Sequence, residues 1–358
     1  MKLALIRRQF AATGGAELYL QRLLRTLLKQ GHKVHLFAEA WGETLGDMKF
    51  HRIAATGSRA TRPVDFSEAV RAALAKESFD CVFSLERTEQ QDVYRAGDGL
   101  HRVWLARRKQ FAPWWKKPFV GFGAFHRNMM ALEARTFDPH NTRHVIVNSE
   151  MVRREILQHF QFPSERIHLV RNGVDVARFQ NGKRDETRAR FGVKADEFLL
   201  LFVGSGWERK GLSFVLDAVA RTPRLKLLVV GKGRKPSSPA NAIFAGPMTD
   251  VENAYAAADL FVTLPIYEPS ANVVAEALAA GLPVVTSANN GAAEVLEEGV
   301  TGSTIYDFWN PESVATVFEQ WAQRRTRVRV SADVFSLERN VAETLAVLKL
   351  ATNRSIAP

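Results

Sequence analysis

Short apolar runs recur along the chain, and each is followed by a turn and then by a stretch with helical spacing. Lys2 to Ile6 reads as a strand, Ala12-Thr13-Gly14-Gly15-Ala16-Glu17 as a glycine turn, and about 16 to 30 as an amphipathic helix closed by Gly31. Lys33 to Ala38 is then a second strand. A strand, a glycine-rich turn, a helix and another strand predict a parallel sheet. The pattern continues with a helix over 65–76, a strand from Phe79 to Leu85, a helix over about 127–137, a strand over 144–149, a helix over 150–159 and a strand over 166–170. Arg171-Asn172-Gly173-Val174-Asp175 is a turn signal, and a polar, basic stretch follows from Asn181 to Arg190.

The alternation then restarts. Strands are expected over 197–204, 225–230, 243–246 and 260–263, with helices running to Ala220 and over 251–258, and a further apolar strand just after Pro283. Pro311 to Arg324 and about 331 to 350 read as the last two helices. The expected fold class is therefore α/β, with one domain over 1–173, a second over 174–330 and a closing helical segment over 331–358.

The most informative stretch is Tyr267 to Pro283. Pro269 pushes Glu268 into extended geometry, and Pro269 or Ser270 opens a helix sustained by Ala, Val and Leu. Gly281 closes that helix and Pro283 keeps it closed. Glu276 then sits about two turns in, roughly 10–12 Å from Glu268 at a rise of about 1.5 Å per residue. That span matches the distance from ribose to sugar ring in a nucleotide diphosphate sugar. The helix start between the two carboxylates offers free N–H groups to a diphosphate. The alternative for Glu276 is solvated surface charge; against it, the rest of the helix is apolar, and a carboxylate in such surroundings needs a partner.

Composition narrows the picture. A 46% hydrophobic fraction over 358 residues supports two ordinary cores. The single cysteine, Cys81, lies in an apolar run and reads as a small buried hydrophobe, so no intrachain disulfide is expected. The N-terminus does not read as a signal peptide, and no apolar run approaches the ~20 residues of a membrane span. The net charge of +11 favours anionic partners: nucleotides, nucleic acid or an anionic membrane.

Much of that charge is concentrated. Arg102, Arg107, Arg108, Lys109, Lys116, Lys117 and Arg127 are interleaved with Trp104, Phe111, Trp114, Trp115, Phe119, Phe122 and Phe125, with no acid in the window. Such a segment suits an anionic lipid surface, with Arg107, Arg108, Lys109, Trp114, Trp115, Lys116 and Lys117 as the contacts. Single-stranded nucleic acid and a partly buried face with solvated charges are the alternatives. Asp98, between Gly97 and Gly99, is placed either to meet a substrate or as a plain turn residue. Gly14-Gly15 allows close backbone approach to a ligand or is an ordinary tight turn, and the spacing is not that of a dinucleotide fingerprint. Arg209 and Lys210, on the loop from Gly204 to Gly211, suit a diphosphate or are surface cations.

Taken together, Gly14-Gly15-Ala16-Glu17, Gly204 to Gly211 with Arg209-Lys210, and Glu268 eight residues before Glu276 resemble retaining glycosyltransferases of the GT-B fold, family GT4. The segment from Glu86 to Phe125 is similar to family members that build lipopolysaccharide core. The resemblance implies two Rossmann-like domains facing across a cleft, with the acceptor on the first, the nucleotide sugar on the second, and the last helix crossing back to the first.

By motif position, Glu276 would hold ribose hydroxyls, and Glu268 would contact the donor sugar or stabilise charge near its anomeric carbon. Arg209 and Lys210 would neutralise the leaving diphosphate. Ser270, Ala271, Asn272 and Val273 would add amides, Gly204 would line the donor loop, and Gly14 and Gly15 would approach the phosphates. Asp98 would be the base or an acceptor-orienting group, although many family members carry His there. The chain contains no Asp-x-Asp, so no metal and no cofactor are expected beyond the UDP-sugar donor.

The expected activity is transfer of a hexose, glucose from UDP-glucose, with retention, onto a membrane glycolipid such as the lipopolysaccharide inner core. The enzyme would then be cytoplasmic and peripheral on the inner membrane face, with no nucleic-acid partner. One alternative is a family member making an exopolysaccharide or soluble glycoside. The other is a non-catalytic glycan- or lipid-binding protein on the same fold.

Overall fold

The structure is a computed structural model describing residues 1–9, 15–41 and 46–352, without the side chains of residues 15–18 and 332. Gly14 lies outside the described residues, and Gly15 is the first residue of a helix. The chain divides into two compact units, Met1–Arg171 with Leu337–Pro358, and Asn172–Ser336.

In the first unit the elements are β1 (Lys2–Ile6), α1 (Gly15–Lys29), β2 (Lys33–Ala38), β3 (Lys49–Arg52), α2 (Arg62–Leu74), β4 (Cys81–Ser84) and β5 (Gln91–Arg95). They continue as α3 (His101–Phe111), α4 (Ala124–Thr136), β6 (Thr142–Val147), α5 (Glu150–His159) and β7 (Ile167–Leu169). Seven strands form one sheet in the order β3-β2-β1-β4-β5-β6-β7, every pair parallel. β2 shows why the pattern was readable: five of its six residues are buried, as expected of a strand covered on both faces.

One face of this sheet packs on α1 through Leu20, Leu23, Leu24 and Leu27, and on the chain's last helix through Val341, Leu345 and Leu348. The other face carries Phe66 and Val70 of α2. Cys81 is fully buried in the first of these cores, and burial pushes its thiol far up, so it is inert.

The second unit begins with α6 (Val176–Gln180), α7 (Arg184–Arg190), β8 (Phe198–Val203), α8 (Trp207–Lys210), α9 (Leu212–Val219), β9 (Leu225–Val230) and β10 (Ala242–Gly246). It continues with α10 (Val251–Ala257), β11 (Leu260–Thr263), α11 (Asn272–Ala279), β12 (Val284–Ser287), β13 (Gly302–Ile305) and α12 (Pro311–Arg324). The last helix, α13 (Leu337–Thr352), belongs to the first unit, where Tyr19 and Thr344 hydroxyls meet at 3.2 Å and Arg143 donates to Ala351 O at 2.7 Å. The second sheet has the all-parallel order β10-β9-β8-β11-β12-β13. Two doubly wound parallel sheets match the parallel sheet that the alternation predicted and the Rossmann-like pair that the resemblance implied.

β3, β5, α3, α6 and β13, which are short or polar, escaped the periodicity, as did the single turn α8. The basic stretch 181–190 contains a helix, α7. Its Arg184 and Arg188 converge on Asp259 at 2.5 and 3.2 Å, and Arg188 is only 4% exposed. The sequence marked only a polar, basic stretch there, because the carboxylate that pairs with it lies some seventy residues ahead.

Candidate active site

In the second sheet β8 and β11 are neighbours, with β9 and β10 to one side and β12 and β13 to the other. The strand order therefore reverses between β8 and β11, although the strands themselves stay parallel. In open parallel sheets, the crevice beyond the carboxyl ends at such a point is where ligands bind. The segments leaving β8 and β11 are 204–211 and 264–271, which carry Arg209, Lys210 and Glu268.

Backbone constraints press these two segments together. Gly211 has φ +70°, and a Cβ there would lie 1.7 Å from Leu264 O, so only glycine lets the chains touch. Ile266 N donates to Arg209 O at 3.0 Å just beyond that contact. Lys210 Nζ consequently reaches Glu268 Oε2 at 2.6 Å, and Arg209 Nη1 lies 3.1 Å from the same oxygen. The cations sit on a single helical turn, α8, rather than on the loop expected from the sequence. Gly206 and Gly211, both left-handed, bracket that turn and separate it from α9. Gly204 precedes it, with its N–H donating to Val230 O at 2.9 Å, which ties the start of the segment to β9.

Glu268 is buried, at 8% exposure, and its backbone is strapped to the chain after β12. Its N–H donates to Asn289 O, and Gly291 N donates to its carbonyl, both at 2.9 Å. Asn290 Oδ1 accepts from Ala271 N at 3.2 Å. These bonds hold residues 268–271 extended, so α11 begins at Asn272 and not at Pro269 or Ser270 as the sequence suggested. The proline signal was real, but a tertiary partner took the Ala271 amide first. Ala271 N is therefore engaged, while Ala271 supplies no side-chain cap to the helix start at Asn272 and Val273. Asn172 Nδ2 fixes Ser270 O at 3.2 Å and Asn272 Oδ1 at 2.7 Å.

Glu276 is half-buried on α11, one partner being the Tyr255 hydroxyl of α10, which donates to Oε2 at 2.7 Å. Burial raises the Glu276 carboxyl above its ordinary range, opposed by the Tyr255 hydrogen bond, Arg178 and Lys210. Lys210 thus acts on both carboxylates: it pairs with Glu268 and lies close enough to Glu276 to favour its charge. Tyr255, which the sequence reading missed, is a fully buried aromatic in an Ala-rich helix, with no signal for its hydroxyl's partner before folding.

In the first unit the corresponding reversal lies between β1 and β4. Asp98 is exposed, one strand further on, in the turn after β5, where Gly99 adopts φ +63°. Glu86, just after β4, was also missed as a candidate. Arg8 N donates to its Oε1 at 3.2 Å, and Arg7 Nη1 lies 3.3 Å away. Burial raises the Glu86 carboxyl, Arg7 opposes this and Asp98 adds to it, so two carboxylates share this edge of the sheet. The signal was a carboxylate directly after a strand; only the strand order shows that this strand is central.

The basic aromatic window resolves into two kinds of residue. Trp114, Trp115, Phe119 and Phe122 are 79%, 56%, 72% and 78% exposed, and Lys109, Lys116 and Lys117 are exposed with them. Arg107, Arg108, Trp104, Phe111 and Phe125 are half-buried. Arg102 is structural, with Nε 3.0 Å from the fully buried Glu133. Among the described residues, no helix is long and apolar enough to cross a membrane.

Two doubly wound sheets, with cations and carboxylates at the reversal point of the second, are the architecture of a GT-B glycosyltransferase. Residues 13–178 match the family described as Glycosyltransferase Family 4, and residues 197–323 the family described as Glycosyl transferases group 1. The chain belongs to these glycosyltransferases. Among individual proteins it is similar to the lipopolysaccharide glucosyltransferase WaaG of Escherichia coli K12, at 24% identity over 363 residues covering 93% of this chain and 95% of that one. The crystal structure of WaaG superposes with a TM-score of 0.75 at 22% identity, covering 99% of this chain and 96% of that one. Anabaena HepE, solved in complex with UDP and glucose, gives a TM-score of 0.72 at 18% identity, covering 98% of this chain and all of that one.

Proposed function

We propose that this glycosyltransferase transfers glucose from UDP-glucose, with retention of anomeric configuration, onto a membrane glycolipid of the lipopolysaccharide inner-core type. The reading rests chiefly on the Lys210–Glu268–Arg209 cluster, held at a sheet's reversal point beside an uncapped helix start. Two cations facing one carboxylate leave a net positive charge for a pyrophosphate. Each charge-assisted contact to the leaving diphosphate is worth about 1.5–3 kcal/mol. These cations stabilise negative charge that grows as the glycosyl–phosphate bond breaks, so the donor needs no metal. Glu276, with Oε2 held by Tyr255, offers Oε1 to ribose hydroxyls, and Glu268 faces the sugar ring. Asp98, beside Glu86, orients or deprotonates the acceptor hydroxyl.

The exposed Trp and Phe side chains with their lysines dock the enzyme on an anionic leaflet, which favours a lipid-borne acceptor over a soluble one. The enzyme is accordingly peripheral, on the cytoplasmic face. Isothermal titration with UDP, followed by product detection from UDP-glucose with lipopolysaccharide acceptors, tests this reading. UDP binding with Asp98→Ala, but no transfer, is the expected outcome. A wild-type chain that fails to bind UDP at millimolar concentration would overturn it.

A further inference from the structure

Away from these residues, three potential metal ligands meet at one edge of the first sheet. His35 on β2, His51 on the edge strand β3 and Glu77 between α2 and β4 bring their ligand atoms within 4.8 Å of one another. The register makes this possible: His35 pairs with Lys49 and Phe37 with His51, so His35 and His51 lie on the same face, one step apart across neighbouring strands. The rings are held in place. Phe37 stacks on His51 with centroids 4.4 Å apart, and Phe79 meets His35 edge-on at 5.1 Å.

His35 Nδ1 lies 2.9 Å from His51 Nε2 and 3.3 Å from Glu77 Oε2. A single ring nitrogen carries one proton or one lone pair. If it donates to Glu77, it cannot fully serve His51; if it accepts from His51, it faces a carboxylate lone pair. Hydrogen bonding alone therefore leaves one of these contacts poorly matched, and a cation among the three atoms satisfies all of them. Tetrahedral zinc with bonds of about 2.0–2.1 Å needs ligand atoms about 3.3 Å apart, close to the two separations seen. The third edge closes by rotating Glu77, whose side chain is one third exposed. Lys2 Nζ binds Glu77 through the other oxygen, Oε1, at 2.8 Å, so Oε2 is the oxygen turned toward His35. Lys49, 4.0 Å from Oε2, is 61% exposed and can turn outward.

We propose that His35, His51 and Glu77 form a binding site for a first-row divalent cation, with zinc the best fit to two imidazoles, one carboxylate and a water. The ion would pin the four-residue edge strand β3 to β2 and to the α2–β4 connection. Its role is structural and lies outside the donor chemistry, so it stands or falls separately from the proposed function.

The test is zinc titration of the full-length, untagged chain against a chromophoric chelator, with thermal melts in parallel. Wild type should take up one equivalent, and its Tm should rise with zinc concentration. Losing even an outer partner of a metal site costs about 10–100-fold in affinity, so His51→Gln and Glu77→Gln should each weaken binding by about 100-fold or more. His126→Gln removes one half of another histidine pair, His101 with His126 at 3.0 Å, and should leave the stoichiometry unchanged. No uptake at 100-fold excess zinc, or uptake that His51→Gln and Glu77→Gln do not alter, overturns the proposal. Far-UV circular dichroism of these partly exposed variants shows whether a loss of binding is only a loss of fold.

Discussion

Lys210→Met separates the ion pair that Lys210 makes with Glu268 from the pyrophosphate contact proposed for it. Lys210 Nζ sits 2.6 Å from Glu268 Oε2, and the two side chains are only 13% and 10% exposed. Breaking a buried ion pair by removing one partner costs about 3–5 kcal/mol, because the other charge is left uncompensated. Arg209, 3.1 Å from the same oxygen but 42% exposed, keeps part of that compensation, so a loss of about 1–3 kcal/mol is expected in urea unfolding. Glu268→Gln combined with Lys210→Met removes both charges and should recover most of the loss.

Ligand binding should not follow stability. On the proposed function, Lys210→Met forfeits one charge-assisted contact to the pyrophosphate, about 1.5–3 kcal/mol, and should weaken UDP about 10- to 100-fold. Glu268→Gln alone removes an anion that competes for the same two cations. It should bind UDP at least as tightly as wild type while donor turnover falls. The double variant should be stable yet weak in UDP binding. Isothermal titration and urea melts on the four proteins supply the whole comparison. Wild-type UDP affinity in Lys210→Met, or its return in the double variant, would show that the lysine serves only the fold.

Gly211→Ala forces a Cβ to 1.7 Å from Leu264 O at φ +70° and should cost at least about 2 kcal/mol in urea melts, with UDP binding lost in the same protein. Burial and neighbouring cations lower His101 and His144 from 6.5 to about 4; His101 faces Arg87 and His126, and His144 faces His168, Arg143 and Arg166. Below pH 6.5 the unfolded chain takes up these protons first, so stability is full above that pH and falls as pH drops toward 4. After solvent screening, each contributes about 1–2 kcal/mol, and His144→Gln should flatten a plot of Tm against pH. Trp114→Ser with Phe122→Ser should leave the melting temperature within about 1 °C, because both side chains are mostly exposed, yet reduce co-sedimentation with anionic vesicles at least about tenfold. Unchanged sedimentation would remove the docking surface.

The sequence alone determined the α/β class and its two successive runs of strand–helix alternation. Doubly covered strands are nearly continuous apolar runs, and the glycines and prolines between them are local steric signals. It also marked Arg209, Lys210, Glu268 and Glu276, because their motif spacing is local. Tertiary structure decided where these groups sit and what they touch. β8 and β11 become neighbours only through a crossover, and Asn290, far along the chain, takes the Ala271 amide and delays α11 to Asn272. The same holds for Tyr255 against Glu276 and for His35, His51 and Glu77, whose neighbours are set by strand order and register. Local sterics write turns and helices into adjacent residues, whereas the partner of a buried polar group is chosen by packing across tens of residues.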